Sequence, residues 1–576
     1  MADDYQNPTQ ECDVVMKGGI TSGIVYPKAV LTLARQYRFR DVGGASAGAI
    51  AAAITASAEY GRDSGGFDKL AKIPDDMSTS LATLFQPDPR GAALYGLLVD
   101  GILDKRWGRA IGRVVRQHWL VALVSMVVAV AVAIWSCLGG GFIAFLTGGL
   151  LGLIGVVVAI TVAFASHAMA LLPELNFGLC PGRTQPGQKQ PALSDWLART
   201  IEDCAGRLAA NGGLPERPLT FGDLETHSPP IRLRAMTTNL GLRRPHTLPD
   251  LGSRNFFFRV EDFSRLFSDW VVKAMIGDAE ERNGFYPFPA PEKLPVVVAV
   301  RMSLSFPLLI SAVPLYRRDF ADNEGGQSME MMLFSDGGLS SNFPIHLFDS
   351  VLPSRPTFGI ALDEYVEPAD GSPDRRVRLP MKLASGRWQN SRAYTSVPSF
   401  LMGLLDAAKD WQDNLQVEMI GYRERIAHVY LKDDEGGLNL TMPADRINEL
   451  VEFGERAGTL LVGDVPQRPE DRFPFDFDEH RWRRFLMAYA AIEEALTAAA
   501  DDWGHVGQAG SFAAFIDAYK ANPGSYNHSS MKWRQEAFNR MDELMALGRT
   551  WQSQPLRHTT KAVPRSQPRL KIAPRF

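Results

Sequence analysis

A long stretch without charge constrains this chain more than any other feature. No Asp, Glu, Lys or Arg occurs from Gln117 to Pro173. A helix that crosses a bilayer needs about 20 apolar residues, and residues 119–138 and 142–172 each provide that length on either side of three glycines. The sequence therefore predicts an inserted transmembrane hairpin over residues 117–173. The alternative is a buried helical pair in a soluble core, which charge-free runs of this length disfavour.

The approach to this run is basic. Four arginines recur at three- and four-residue steps, so a helix would place them near one face: Arg106, Arg109, Arg113 and Arg116. Such a helix suits an anionic lipid surface, and positive charge beside a span predicts the cytoplasmic side. Two crossings return the chain to its starting side. We therefore expect a membrane protein with two spans and the catalytic domain in the cytoplasm.

Composition narrows the class of protein further. A chain of 576 residues exceeds what one core normally holds, and its 45% hydrophobic and 22% charged content is typical of globular proteins. The net charge of −4 gives no general attraction to nucleic acid, so no nucleic-acid partner is predicted. Cys12, Cys137, Cys180 and Cys204 lack metal-ligand spacing and favour a reduced compartment over a disulfide framework. No metal and no cofactor are expected.

Residues 44–48 read Gly-Ala-Ser-Ala-Gly, after a short apolar run and before a helix of small residues. A serine hydroxyl is a weak nucleophile until a sharp strand-to-helix turn exposes it, and glycines on both sides permit that turn. Ser46 is therefore the candidate nucleophile. The alternative interpretation is a contact between small residues of two helices.

Two further glycine-rich segments accompany this motif. An apolar strand leads into Gly18 and Gly19, whose backbone N–H groups would be free to point at a developing negative charge. Far downstream, Asp336 ends another apolar run and is followed by Gly337 and Gly338. Each segment taken alone is equally compatible with a plain turn.

In this order, and with residues 294–307 as a fourth block, the motifs resemble those of the patatin-like phospholipases, here as a bacterial-type member with an inserted hairpin. The resemblance covers roughly residues 11–362. It implies a three-layer α/β/α fold and a Ser–Asp dyad that hydrolyses acyl esters of lipids. Family members usually carry a third glycine and a basic residue in the first loop, where this chain has Ile20 and Ser22. A cationic contact to a lipid phosphate is therefore not expected at Ser22.

The resemblance implies a role for each motif. Ser46 would attack the ester carbonyl, and Asp336 would take its proton in a partly desolvated site. Backbone N–H groups of Gly18, Gly19 and Ile20 would form the oxyanion hole. The substrate and partner would be membrane phospholipid or another acyl lipid, at the surface of the lipid bilayer. The remaining motif positions are Gly23, Gly44, Gly48, Gly337 and Gly338.

Three alternatives remain open from the sequence. A Ser–His–Asp hydrolase would use one of the histidines that follow Asp336, namely His346, His428, His480, His505 and His528. A catalytically silent membrane scaffold is compatible with the altered first loop. An acyltransferase would use the same residues with an acceptor other than water.

Alternating strand and helix patterns predict an α/β fold with a mostly parallel sheet covered on both faces. The predicted strands are residues 12–16, 39–43, 231–236, 296–300, 332–334 and 357–362. We divide the chain into an N-terminal tail (1–10), a catalytic domain (11–365) that contains the hairpin, a mainly helical region (366–556) and a basic, disordered tail (557–576). A long helix is expected at residues 478–502.

Overall fold

The structure, a computed structural model, describes most of the chain. The described residues are 5–19, 22–103, 106–252, 255–318, 329–365, 376–379, 421–432, 442–463, 475–507, 510–525 and 527–554, with positions 400, 403, 435, 436 and 439. Ile20, the tail 557–576 and much of residues 366–420 lie outside this part of the chain.

The fold is a mixed α/β fold built on one large sheet. Its strands are β1 (Gln10–Met16), β2 (Tyr37–Gly44), β3 (Gly178–Cys180), β4 (Arg232–Asn239), β5 (Arg244–Leu248), β6 (Phe256–Phe258), β7 (Tyr286–Pro287), β8 (Leu308–Ile310), β9 (Val313–Arg318), β10 (Met329–Asp336), β11 (Thr357–Glu364), β12 (Val377–Arg378), β13 (Ile426–Leu431), β14 (Val506–Gly507) and β15 (Gly510–Ser511). Five of the six predicted strands are confirmed, as β1, β2, β4, β10 and β11.

The large sheet has 11 strands in the order β12-β13-β11-β1-β2-β4-β10-β9-β6-β7, with β5 beside β4. Pairing is parallel through β13, β11, β1, β2 and β4 and antiparallel in its other pairs. The sheet is therefore mixed, and a mostly parallel sheet is not confirmed. Strand β13 lies beyond residue 365 in sequence but pairs directly with β11.

The helices are α1 (Tyr26–Ala34), α2 (Ala47–Tyr60), α3 (Gly66–Leu70), α4 (Ile73–Ser80), α5 (Ala92–Gly96), α6 (Trp107–Gln117), α7 (Trp119–Glu174), α8 (Leu193–Cys204), α9 (Phe221–Thr226), α10 (Val260–Leu266), α11 (Asp269–Ile276), α12 (Val296–Ser303), α13 (Ala444–Val462), α14 (Phe477–Gly504), α15 (Phe512–Tyr519) and α16 (Met531–Ser553). A π-helix covers Leu97–Leu103. Helix α14 contains the predicted helix at 478–502, and α13 packs against α1.

The two faces of the sheet are covered differently. Val14 and Met16 of β1 belong to the main core, where α1, α2 and α12 pack. Val15 points to the other face and joins a small cluster with Phe343 and Ile345. Among the described residues this cluster is covered by the short segment around Phe343 and Ile345 and by the start of α14, whose Arg484 lies over the ring of Tyr422. Three full layers are not confirmed.

The predicted strand at residues 296–300 is wrong, because this segment is helix α12. All of its residues are buried. A continuous apolar run has no polar face and hence no period to distinguish a strand from a buried helix. Pro295 occupies the N-cap position, where its missing N–H costs no helical hydrogen bond.

Helix α7 is, in the described part of the chain, the one helix long and apolar enough to cross a membrane. Its backbone leaves helical geometry at Gly141, with φ of 72° and ψ of −160°. Residues before and after this point are in contact: a methyl group on Gly152 would lie 2.8 Å from the Cβ of Ala129. Most apolar side chains of α7 are exposed. The structure therefore leaves a large apolar surface uncovered.

Candidate active site

The serine of the Gly-Ala-Ser-Ala-Gly motif lies at a sharp turn between β2 and α2. Strand β2 ends at Gly44 and α2 begins at Ala47, and the turn gives Ser46 φ of 54° and ψ of −130°. For a residue with a side chain, such a conformation costs about 1–3 kcal/mol. It persists only where the surrounding structure imposes it, and strain of this kind clusters at functional sites.

The glycines of the motif allow this turn to pass against the end of β1. A methyl group on Gly44 would clash with the main chain of Gly48, and one on Gly48 would clash with the carbonyl oxygen of Met16. Glycine is thus required at both positions. The close approach places Ser46 beside the loop that follows β1.

The end of helix α12 holds the two candidate catalytic residues by their backbones. The N–H of Ser46 donates to Ser303 Oγ over 3.1 Å, and the N–H of Asp336 donates to the carbonyl oxygen of Ser305 over 3.0 Å. Arg301, which is fully buried, donates to Ser305 Oγ over 2.7 Å. Burial lowers the pKa of Arg301 to about 9. One short segment therefore links both positions.

Asp336 is the last residue of β10 and is 3% exposed. Its Oδ1 accepts a hydrogen bond of 2.7 Å from the N–H of Gly338. Its carbonyl oxygen accepts one of 2.8 Å from the Thr238 hydroxyl. The Asp-Gly-Gly segment thus fixes the carboxylate by a local turn.

The side chains of Ser46 and Asp336 both lie near the side-chain oxygen of Asn342. A methyl group on Gly18 would clash with Asn342 Oδ1 and lie 3.0 Å from the Cβ of Ser46. A methyl group on Gly338 would lie 2.7 Å from the same Asn342 oxygen and 2.8 Å from Asp336 Oδ1. The structure therefore brings the three predicted loops together. Among the described residues, however, the Ser46 hydroxyl has no hydrogen bond, either to Asp336 or to another group.

The predicted oxyanion loop follows β1 directly. The N–H of Gly18 donates to the carbonyl oxygen of Asn342 over 2.8 Å, so the prediction that it faces a substrate is not met in this structure. Gly19 packs on the side chain of Ser22, and Ile20 lies outside the described residues. Gly23 is beside Ala47, whose N–H at the first turn of α2 has no acceptor within the helix.

Comparison with known proteins gives a relative in sequence. No protein-family model matches the chain. The chain is 33% identical to the RpoH suppressor of Rhizobium meliloti (strain 1021), over 99% of this chain and 100% of the relative. The chain belongs to the RpoH suppressor family. Among solved structures, it is similar to VipD from Legionella pneumophila with a TM-score of 0.30 and 14% identity, over 95% of this chain and 86% of VipD.

In this member of the RpoH suppressor family, two of the candidate histidines are held by carboxylates elsewhere. His428 Nδ1 is 2.6 Å from an oxygen of Asp363, whose other oxygen accepts from Lys17 Nζ over 2.9 Å. His480 Nδ1 is 3.2 Å from Glu424, and burial lowers the pKa of His480. Among the described residues, no histidine is hydrogen-bonded to Ser46.

Sequence reasoning missed three residues of this site. Ser303 and Asn342 stand in segments that the motifs already included, but nothing local marks a serine or an asparagine as a long-range partner. Ala47 had a usable signal, because the residue after the nucleophile in such a turn commonly supplies an oxyanion donor.

Proposed function

We propose that this chain is a serine acyl hydrolase of the patatin-like phospholipase type that cleaves acyl esters of lipids at a membrane. The observation that carries the proposal is the strained backbone of Ser46 at a strand-to-helix turn. A serine in a structural turn would gain nothing from that conformation, whereas a nucleophile needs it to present its hydroxyl.

In the proposed mechanism Ser46 Oγ attacks the ester carbonyl carbon while its proton passes to Asp336. Asp336 gives this proton to the alcohol as it leaves, and an acyl-enzyme on Ser46 remains. Water, deprotonated by the same carboxylate, then attacks the acyl carbon; the bond to Ser46 Oγ breaks, the fatty acid leaves, and the proton returns from Asp336 to Ser46 Oγ. The Gly338 N–H, bonded to Oδ1, would hold the carboxylate during both transfers. Catalytic hydrogen bonds are often long before substrate binds, which fits the unbonded Ser46 hydroxyl.

The negative charge on the carbonyl oxygen requires backbone donors nearby. We assign this role to the N–H groups of Ala47 and Gly19, with Ile20 kept as a prediction. Ala47 stands at the N-terminus of the 14-residue helix α2, where the helix dipole favours negative charge. Each such donor contributes on the order of 3 kcal/mol to the transition state.

We also propose that α7 crosses the membrane twice, with its bend at Gly141 on the far side. Residues on the two sides of the bend are in contact, as in the pair Gln117 Nε2 and His167 Nε2 at 3.0 Å. Exposed arginines of α6 precede it and would stay on the cytoplasmic side with Ser46.

Cys137 tests this topology, since it is exposed near the bend while the other three cysteines are buried. In sealed vesicles, a membrane-impermeant maleimide should label Cys137 only from the face opposite the catalytic residues, and a Cys137→Ala variant should not be labelled. Labelling from the same face as a tag at the C-terminus would contradict two spans.

The activity test uses a fluorogenic acyl ester and the full-length protein in detergent. Ser46→Ala and Asp336→Asn should each abolish hydrolysis, whereas His428→Ala and His480→Ala should retain most of it. Loss through a single histidine would instead favour a Ser–His–Asp mechanism. Adding an alcohol acceptor and analysing the products separates hydrolysis from acyl transfer.

One observation favours a catalytically silent scaffold as the second candidate. The Gly18 N–H is engaged by Asn342 rather than open to a substrate. The name RpoH suppressor states no reaction, so it does not separate the two candidates. Equal rates for the wild type and Ser46→Ala would favour the scaffold.

A further inference from the structure

An apolar cavity, partly open to the surface, begins beside the nucleophile. Gly23, Ala47 and Leu304 line it at this end. Ala47 directly follows Ser46, and Leu304 directly follows Ser303, to which Ser46 is hydrogen-bonded. An acyl chain esterified to Ser46 would therefore start at this end of the cavity.

From there the cavity runs along one face of α2. Ile50, Ala51, Ile54 and Thr55 line it at the spacing of successive helical turns. Ile54 is seven positions from Ala47, which is about 10 Å along a helix. Ile54 lies at the part of the lining farthest along α2 from Ala47, and Leu70 and Ile73 line the cavity as well; all three are buried.

The wall offers hydrocarbon rather than hydrogen bonds. Nearly all of its residues are apolar, and two hydroxyl groups in it are engaged elsewhere. Thr55 donates to the carbonyl oxygen of Ala51 over 2.7 Å, and Tyr26 donates to that of Lys17. A wall of this kind favours apolar ligands over sugars and nucleotides, whose hydroxyl groups would lose hydrogen bonds to water without replacement.

The apolar lining continues toward the base of α7. Leu84 and Phe85 of the wall belong to a cluster against which Tyr95 and Leu98 pack. The same two side chains pack against a second cluster that contains Leu171 of α7. A lipid leaving the bilayer beside α7 would thus meet apolar surface on its way to the nucleophile.

We propose that this cavity binds the acyl chain of the substrate and limits it to a medium length of about six to eight carbons. The inference rests on the proposed hydrolase and narrows its substrate class. The volume of about 60 Å³ holds about four to six water-sized groups. The volume sets the lower figure. The length of about 10 Å along α2 sets the upper one, because an extended chain advances about 1.2 Å per bond and so spans that length with about eight bonds.

The first test is a series of esters with one leaving group and acyl chains of 2, 4, 6, 8, 12 and 16 carbons. The value of kcat/KM should rise about fourfold for each methylene that enters the cavity, up to six or eight carbons. It should be at least about tenfold lower at 16 carbons. A flat profile, or a maximum at 16 carbons, would overturn the proposal.

Two variants should move the maximum in opposite directions. Ala51→Leu blocks the middle of the cavity and should shift the maximum to four carbons or fewer while hydrolysis of the acetyl ester continues. Ile73→Ala opens the far end and should shift it to ten or more. The matched control is Ile201→Ala, a buried residue of the same core that does not line the cavity, and it should leave the profile unchanged.

Binding to the Ser46→Ala protein keeps this inference separate from the proposed function. Octanoic acid should quench the fluorescence of Trp196, which lines the cavity, while acetate should not; Trp196→Phe supplies the background from the other tryptophans. If octanoic acid binds but no ester is hydrolysed in a way that depends on Ser46, the proposed hydrolase function is refuted and the cavity remains a lipid-binding site. Hydrolysis without binding, and with an unchanged profile in both variants, would refute the cavity alone.

Discussion

Strands β1 and β2 carry two polar centres that differ in kind. In mid-strand, Asp13 and Asp41 are buried but fully bonded. Arg355 bridges them, with Nε 2.6 Å from Asp13 Oδ1 and a terminal nitrogen 2.9 Å from Asp41 Oδ2. Arg232 donates to Asp41 Oδ1 over 2.6 Å. Every charge here has its partner, as buried charges require.

At the carboxyl end of β2 the arrangement is reversed. Ser46 has a strained backbone, and its hydroxyl has no hydrogen bond among the described residues. The Ser46 hydroxyl is therefore available to bind another group, and it stands where the backbone is strained. The contrast separates polar groups that stabilise the sheet from groups available for chemistry, and five predictions test it.

The largest effect is expected from replacing two carboxylates, Asp336 in the candidate active site beside Ser46 and Asp41 in the mid-strand pair. Asp336→Asn keeps the oxygen that accepts from Gly338 but cannot take a proton, so kcat/KM for an acyl ester should fall at least about 10³-fold. Urea unfolding should change little. Asp41→Asn should do the opposite, with lower stability and normal activity for each folded molecule. If both variants lost activity equally at unchanged stability, the distinction between the centres would be wrong.

The bridging arginine should have the largest effect on stability. Arg355→Ala leaves two buried carboxylates facing each other, and we expect the free energy of unfolding to fall by about 3 kcal/mol. Arg232→Ala is the control, because its side chain is 55% exposed against 24% for Arg355. Urea titrations should rank Arg355 well above Arg232, and an equal loss would contradict the bridging role.

The same contrast explains which parts of the molecule could be predicted from sequence. The turn at Ser46 and the turn after Asp336 depend on glycines that are adjacent in sequence, so local chemistry indicates them. The hydrogen bond from Gly18 to Asn342 depends on the packing of two distant loops, and no local pattern encodes it. Helix α12 was assigned as a strand because both its faces are buried.

Apart from β10, the antiparallel half of the sheet could not be predicted from the sequence. Strands β6 and β7 have three and two residues, which is too short for an alternating pattern to emerge. The strands from β10 to β7 therefore come together through tertiary contacts that no local pattern in the sequence indicates. The parallel centre was predictable because its strands are separated by clear helical segments.

Relief of strain at Ser46 provides the third prediction. Ser46→Gly removes the side chain that disfavours positive φ, so the free energy of unfolding should rise by about 2 kcal/mol while hydrolysis is lost. Ser46→Ala is the matched control, since it loses the hydroxyl but keeps the Cβ and the strain. Equal stability of the two variants in chemical denaturation would show that the turn is not strained.

Ser303 should affect turnover more than stability. Ser303→Ala removes the acceptor that holds the Ser46 N–H, and we expect kcat to fall about tenfold, equivalent to about 1.4 kcal/mol, with KM unchanged. Ser311→Ala is the control, because that serine is equally buried and its hydroxyl donates to the Gly178 carbonyl over 2.9 Å. It should cost some stability and leave kcat intact. A similar fall in kcat for both serines would argue against positioning.

The smallest effect concerns how the stability contributed by Asp13, in the pair with Asp41, depends on pH. Burial is the main cause that raises the pKa of Asp13 to about 6, and the negative charge of Asp41 is the second. The hydrogen bond and positive charge of Arg355 act in the opposite direction. Since the ordinary value is 3.8, the folded state holds this proton more tightly than the unfolded state. Its contribution to stability is therefore most favourable below pH 4 and is lost as the pH rises toward 6.

We expect this contribution to fall by about 1 kcal/mol between pH 5 and pH 7. The side chain of the Asp13→Asn variant cannot ionise. The unfolding free energy of the wild type, relative to this variant, should therefore fall by about 1 kcal/mol between pH 5 and pH 7 and stay constant above pH 7. Urea titrations at half-unit intervals measure it. A drift of the opposite sign would mean that the hydrogen bonds and charge of Arg355 outweigh burial and hold Asp13 ionised.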